Sequence, residues 1–155
     1  MILKGGCMEK PKILVLIGSE NDHSVMEDGL AFLREMGIPY KVDISSAHRN
    51  PDKTTSYAKE ARSEGIEVII AMAGLAAHLP GVLASHTTIP VIGIPVSTGA
   101  LNGIDALLSI VQMPKGIPVA TVGIDASRNA AILACEILGI KYDGIREKLE
   151  KMKGE

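Results

Sequence analysis

The chain has 155 residues, 46% of them hydrophobic and 22% charged, with a net charge of −2. That length fits one domain, able to bury roughly two-thirds of the surface its unfolded chain exposes. The near-neutral balance gives no footprint for a nucleic-acid or membrane-surface partner, so an anionic ligand would have to be held by local geometry.

Residues 1–11 read as an N-terminal tail that carries Cys7 and offers Met8 as a second start. The tail is too short and too weakly apolar for a signal peptide, and no run approaches the length of a membrane helix, which makes the cytoplasm the default location. Residues 12–140 read as one domain. Ile13–Ile17 is an apolar run closed by Gly18 and predicts a buried strand. Met26, Leu30, Leu33 and Met36 form one stripe of a helix over 24–36 that Gly37 stops. Tyr40–Ile44 is a second strand. Pro51 opens a helix in which Thr54, Tyr57, Ala58 and Ala61 share a face up to Gly65. Val68–Ala73 is a third strand and Leu79–Ser85 a short helix with Pro80 in its first turn. Val91–Ile94 is a fourth strand ended by Pro95, followed by a helix over Ile104–Val111, a fifth strand over Val119–Ile124 and a helix over Asn129–Leu138. Cys135 falls in that helix, which predicts no disulfide to Cys7. Residues 141–155 form a last, charged helix with no strand after it, expected to pack on a neighbouring subunit.

Five strand–helix alternations with apolar strands predict a parallel sheet covered on both faces, a three-layer α/β/α domain with the flavodoxin-like order 2-1-3-4-5. Ligands of such sheets sit beyond the carboxyl ends of the strands, so the chemistry should lie in the loops there. After the first strand, Gly18-Ser19-Glu20-Asn21-Asp22 opens a helix. Its backbone N–H groups and the Ser19 hydroxyl suit an anion, and Asp22 suits ribose hydroxyls. A simple helix cap by Ser19 or Asp22 explains the same residues. After the second strand, Ser45-Ser46-Ala47-His48-Arg49-Asn50-Pro51 sets three small residues before a His-Arg pair. The Arg49 fork matches phosphate, and a histidine titrates near neutrality and moves protons in both directions. A surface His-Arg pair is the alternative. After the third strand, Ala73-Gly74-Leu75-Ala76-Ala77-His78-Leu79-Pro80-Gly81 is small and apolar around one histidine. It could receive a flat ring or trap a small apolar gas. Close helix–sheet packing, with His78 capping the next helix, is the alternative. The loop over 95–103 is polar, a lid or a subunit contact. Met113 and Pro114 could wall a pocket.

Other chemistries find no motif. There is no His/Cys/Asp/Glu cluster at metal spacing, no Gly-x-Ser-x-Gly elbow, and no aspartate at the end of the third strand as a phosphorylated receiver domain would carry. One Phe, three Tyr and no Trp leave little to stack on a flavin.

Four motifs in this order, Gly18-Ser19-x-x-Asp22, Ser46-Ala47-His48-Arg49-x-Pro51, Ala73-Gly74-x-Ala76-Ala77-His78-Leu79-Pro80-Gly81 and Ser109-Ile110-Val111-Gln112-Met113-Pro114, closely resemble the class I N5-carboxyaminoimidazole ribonucleotide mutases of purine biosynthesis, also named the catalytic subunit of phosphoribosylaminoimidazole carboxylase. The resemblance runs from about Lys12 to Leu138. It implies a homo-octamer that needs no cofactor or metal and is linked functionally to the ATP-dependent enzyme that makes its substrate. It also implies Ser19, Asp22 and Arg49 on the substrate's phosphate and ribose. Ser46, Ala47, Gly74, Ala76, Ala77 and Leu79 would line the same pocket, with His48 as general acid–base and His78 as a supporting catalytic residue. Asn50 stands where the family usually has Thr. The stretch 123–129, with Asp125 and Arg128, is less glycine- and alanine-rich than usual and is expected to alter a subunit contact. Two other readings stay open at this point: a direct aminoimidazole ribonucleotide carboxylase using carbon dioxide, which the His78-Leu79-Pro80-Gly81 pattern disfavours, and a non-catalytic nucleotide-binding module.

Overall fold

The computed structural model describes residues 10–154. Most of the expected tail, with Cys7, lies outside them. Strand β1 (Ile13–Ile17) is buried at all five positions, as an uninterrupted apolar run requires of a central strand. A single 3-10 turn over Glu20–Asp22 leads into α1 (His23–Met36), and Gly37 ends that helix at φ +70°. Then follow β2 (Tyr40–Ile44), α2 (Pro51–Glu64), β3 (Val68–Gly74), α3 (Leu79–Ser85), β4 (Val91–Val96), α4 (Ile104–Val111), β5 (Ala120–Thr121), α5 (Ser127–Gly139) and α6 (Asp143–Lys153).

The five strands make one parallel sheet in the order β2-β1-β3-β4-β5, as the alternation predicts. Alternate residues feed two cores. Ile13, Val15, Ile17, Ile70 and Met72 face α1 and α5, whereas Leu14, Leu16, Ile69 and Ala71 face α2, α3 and α4. This is the period-2 alternation of side chains across a sheet covered by helices on both sides.

Three details differ from the sequence pattern. Strand β2 is not apolar throughout; its five residues are half-buried and include Lys41 and Asp43, charges that suit an edge strand. Strand β4 runs through Pro95 to Val96. Gly93 and Pro95 turn their carbonyls toward the β5 side, accepting from Val122 N and Asp125 N. The ladder to β5 has already stopped at Thr121 there, so the N–H that Pro95 lacks removes no ladder bond. Strand β5, the other edge, keeps only two of the six residues expected of it.

Helix α6 packs on its own chain. Leu149 is buried in the α1–α5 core, and Lys148 Nζ donates to the Met36 carbonyl at 2.8 Å, closing the end of α1. At the start of α6, the Tyr142 hydroxyl, Lys12 and Lys141 all hydrogen-bond the Glu67 carboxylate. Met152 stays exposed on its outer side. Helices α1 and α5 cross at Gly29, where a Cβ would come within 2.6 Å of the Ser127 carbonyl; the Gly29 N–H donates to the buried Ser127 hydroxyl at 3.3 Å. Arg128 ties the same crossing together, reaching Asp28 and Glu35 with its guanidinium 5.0 Å over the Phe32 ring. Cys135 is fully buried there, and desolvation pushes its thiol up to about 12, which makes it an inert packing residue.

Candidate active site

The strand order reverses between β1 and β3, and the loops after β1, β2, β3 and β4 meet beyond that point. They enclose a cavity of about 290 Å³, the place where open parallel sheets bind ligands. Gly18 N donates across to the Met72 carbonyl at 2.9 Å, which ties the β1 loop to β3.

Ser19 holds both roles considered for it. It caps the 3-10 turn, accepting weakly from Asn21 N at 3.4 Å, and it lines the cavity. Asp22 occupies the N-cap position of α1 without a side-chain cap bond and lines the cavity instead. Burial raises its pKa above the ordinary carboxylate value, and the negative charge of Asp125 raises it further.

The β2 loop is braced from beneath. Thr54 Oγ1 donates to the Asn50 carbonyl at 3.1 Å, so the buried Ser45 hydroxyl, 2.8 Å away, donates to Thr54. Asn50 N closes a turn onto the Ser46 carbonyl at 2.9 Å. These bonds fix the segment that presents Ser46, Ala47, His48 and Arg49 to the cavity. Below them Asp43 accepts from Tyr57, the Ile44 N–H and Lys53. Burial of Asp43 works the other way, but these bonds outweigh it and hold the carboxyl below its ordinary value. Arg49 has no carboxylate partner among the described residues, so its guanidinium is uncommitted.

The β3 loop turns sharply, with Ala77 N donating to the Gly74 carbonyl at 3.0 Å and two non-glycine residues, Leu75 (φ +54°) and Ala77 (φ +22°), in left-handed backbone. Such strain persists only where surrounding structure holds it, and it concentrates at functional sites. Gly74 leaves room for Thr98 Cγ2, which a Cβ there would overlap. Gly74, Ala77 and Leu79 line the cavity; Ala76 is exposed and does not. His78 sits at the N-cap position of α3 but makes no cap bond. It reaches across to His48 instead.

That contact is the centre of the site. His48 Nε2 and His78 Nδ1 lie 2.6 Å apart, and the rings meet edge-on with centroids 4.7 Å apart. One nitrogen must donate and the other accept, so the pair shares a single proton along this line. His48 Nδ1 and His78 Nε2 keep no protein partner among the described residues.

Every expected site residue except Ala76 therefore lines one cavity. Asn21, Leu75 and Thr98 line it too. Thr98 had a faint signal in the polar stretch after β4. Leu75 had none, since an apolar residue in a left-handed turn looks like packing. Met113 does not wall the cavity; it packs against Gly81 behind α3.

Fold and cavity together define a flavodoxin-like α/β protein with paired imidazoles at the switch point of its sheet. The sequence model of the family described as AIR carboxylase matches residues 12–155. The chain is 58% identical over 143 residues to the N5-carboxyaminoimidazole ribonucleotide mutase of Pyrococcus horikoshii, covering 92% of this chain and 81% of that protein. It is 55% identical to the protein of the same name from Thermotoga maritima, covering 92% and 84%. Treponema denticola PurE has a crystal structure that superposes with a TM-score of 0.84 at 28% identity, covering 93% of this chain and 90% of that one. The chain belongs to the AIR carboxylase family.

Proposed function

We propose that this chain is an N5-carboxyaminoimidazole ribonucleotide mutase, an isomerase that moves a carboxyl group from the exocyclic nitrogen to the adjacent ring carbon and yields 4-carboxy-5-aminoimidazole ribonucleotide for purine biosynthesis. The observation that carries the reading is the His48–His78 pair, placed between a polar side of the cavity (Ser19, Asp22, Arg49) and a small-residue side (Gly74, Ala77).

The polar side anchors the substrate's remote end. The Arg49 fork and the Ser19 hydroxyl take the phosphate, and the Asp22 carboxylate accepts from ribose hydroxyls. Ser46, Ala47, Gly74, Ala77 and Leu79 form the walls against which the imidazole lies. His48 gives a proton to the exocyclic nitrogen; the N–C bond breaks, its electron pair stays on nitrogen, and carbon dioxide is released into the pocket. The electron-rich ring carbon attacks that carbon dioxide and forms the new C–C bond. The ring carbon then surrenders its proton to His48, which restores aromaticity and the starting protonation state. One proton goes out and one returns, so the cycle needs no further reactant. The small-residue loop keeps the freed gas beside the ring, where its effective concentration is high. His78 holds His48 in one tautomer through the bond they share.

Assembly belongs to the same reading. Leu101, Ile104, Leu108 and Val111 lie at helical spacing on and beside α4, each about half exposed. Asp105 Oδ1 on that helix is buried without a hydrogen-bond partner among the described residues. A homo-octamer would cover this stripe. No helix among the described residues is long and apolar enough to cross a membrane, in keeping with the cytoplasmic location proposed for this enzyme. The ATP-dependent enzyme that makes the labile substrate would be its functional neighbour.

The test supplies purified protein with N5-carboxyaminoimidazole ribonucleotide, or with aminoimidazole ribonucleotide plus bicarbonate. Turnover of the first alone is expected. Turnover of the second only would make the chain a direct carboxylase, and a thermal shift without turnover of either would make it a binding module. His48→Asn should still bind substrate but lose about 10²–10⁴-fold in kcat; near-parent kcat would rule His48 out as the proton carrier.

A further inference from the structure

Asp125 lies outside the cavity lining, in the loop after β5, yet its N–H and both carboxylate oxygens bond the end of β4 beside the cavity, while its carbonyl accepts from Ser127 N at 2.9 Å. Its backbone is left-handed at φ +58°, a conformation that Asp tolerates better than most residues. Its N–H donates to the Pro95 carbonyl at 2.9 Å, its Oδ1 accepts from Ser97 N at 2.9 Å, and its Oδ2 accepts from the Ser97 hydroxyl. One residue thus grips the end of β4 by backbone and by both carboxylate oxygens. The next residue is Thr98, whose methyl fills the space left open by Gly74. Thr98 is a cavity wall, and Gly74 begins the strained loop that ends at His78.

We propose that Asp125 is a positioning residue of the substrate site: by clamping Ser97 it sets the Thr98 wall against Gly74. This rests on the reading of the cavity as the substrate site. The charge of Asp125 reaches Asp22, whose carboxyl, raised by burial first and by Asp125 second, ionises less readily for it. The other charged or titratable groups around Asp22 are His48, Arg49 and His78 across the cavity, and Glu20 and His23 on its own segment. An ionised Asp22 accepts from a ribose hydroxyl on each oxygen, whereas protonation turns one oxygen into a donor and removes the charge, so substrate affinity should fall as pH falls through the Asp22 pKa.

Three variants separate clamp from charge. Asp125→Gly keeps the left-handed backbone without strain but removes the carboxylate; KM should rise about tenfold, inside the roughly 10²-fold that a 1 Å misplacement costs, with kcat changed much less. Asp125→Asn keeps an acceptor for Ser97 N and an amide that can donate to the Ser97 hydroxyl, and removes the charge. Its KM at neutral pH should stay near the parent's, while the acid-side rise of KM moves to lower pH. Ser97→Ala removes one arm of the clamp and leaves the charge, so KM should rise with its pH dependence unmoved. His48, Arg49 and His78 are present in all three variants, so a difference between Asp125→Asn and Ser97→Ala reports the charge of Asp125. Parent-like KM at every pH in both Asp125 variants overturns the proposal, as does a loss of melting temperature with KM unchanged. His48→Asn, run beside them, tells the two readings apart. If it keeps full turnover, His48 is not the proton carrier and the proposed reading of the cavity fails. If it is inactive while the Asp125 variants match the parent, only the role of Asp125 fails.

Discussion

A Cβ at position 74 would overlap Thr98 Cγ2. In Gly74→Ala, Thr98 must rotate out of its place in the cavity wall or the β3 loop must lift, and either change moves the surface against which the imidazole lies. Only the end of the Thr98 side chain has to give way, the next atoms standing at 3.6 Å, so the variant should fold with little change in melting temperature. Its KM should rise several-fold with a smaller fall in kcat, because the loss is of positioning and not of the proton carrier; steady-state kinetics at one pH would show it. A Gly74→Ala enzyme with parent KM would mean that Thr98 is not a wall that matters. The same loop shows what residue-level reading reaches. His48, Arg49 and Asp22 stand out as polar side chains in loops after strands, but a surface pair or a helix cap accounts for them as well, and only the four motifs together, through the family resemblance, assign them to one site. Ala76 was expected in the lining and Leu75 was not. Their order was set by two left-handed residues, Leu75 and Ala77, and no local pattern predicts that an alanine or a leucine takes that conformation.

At the scale of elements, the helices and central strands follow from period and punctuation. The edges do not, because an edge strand ends where its neighbour stops bonding it. That is why β5 is short and why β4 can carry Pro95. Close crossings also escape sequence patterns. Gly29 is in the middle of a helix, where alanine is the better former by about 1 kcal/mol. Yet its Cβ would lie 2.6 Å from the Ser127 carbonyl and 2.7 Å from Met26 Cε, and the backbone on the α5 side cannot swing away. Overpacking of this kind costs about 1–3 kcal/mol. Gly29→Ala should therefore lower stability to denaturant, with a shifted midpoint at unchanged slope; a gain in stability would show that the crossing relaxes. The α6 tether behaves differently, since it depends on charge. Burial works against ionisation of Glu67, but hydrogen bonds from Tyr142, Lys12 and Lys141 outweigh it and hold its pKa below the ordinary 4.5. A carboxyl depressed on folding adds stability that is fully present above its unfolded value and lost as pH falls through the folded one. Glu67→Gln should melt lower than the parent at pH 7, by the equivalent of about 1 kcal/mol, and the two curves should converge as pH falls through the depressed pKa of Glu67. A gap that stays constant with pH would assign the tether to packing.

For the molecule as a whole, the position of the apolar stripe on α4 matters as much as its existence. Leu101 lies three residues beyond Thr98 and Leu108 on the helix that follows, so whatever covers the stripe also supports the loop that walls the cavity. Burying a half-exposed leucine gains on the order of 1 kcal/mol per copy, and a carboxylate buried at the same place costs several. Leu108→Glu inverts that balance while leaving the folded chain intact, because Leu108 is 52% exposed in the single chain. Light scattering should find the parent as an octamer and the variant as a smaller species with a near-parent circular dichroism spectrum. Because the stripe runs into the Thr98 loop, KM should rise in the variant even where each chain stays folded. An unchanged mass would mean that another face makes the assembly. A reduced mass with parent kinetics would mean that the cavity of a single chain is already complete.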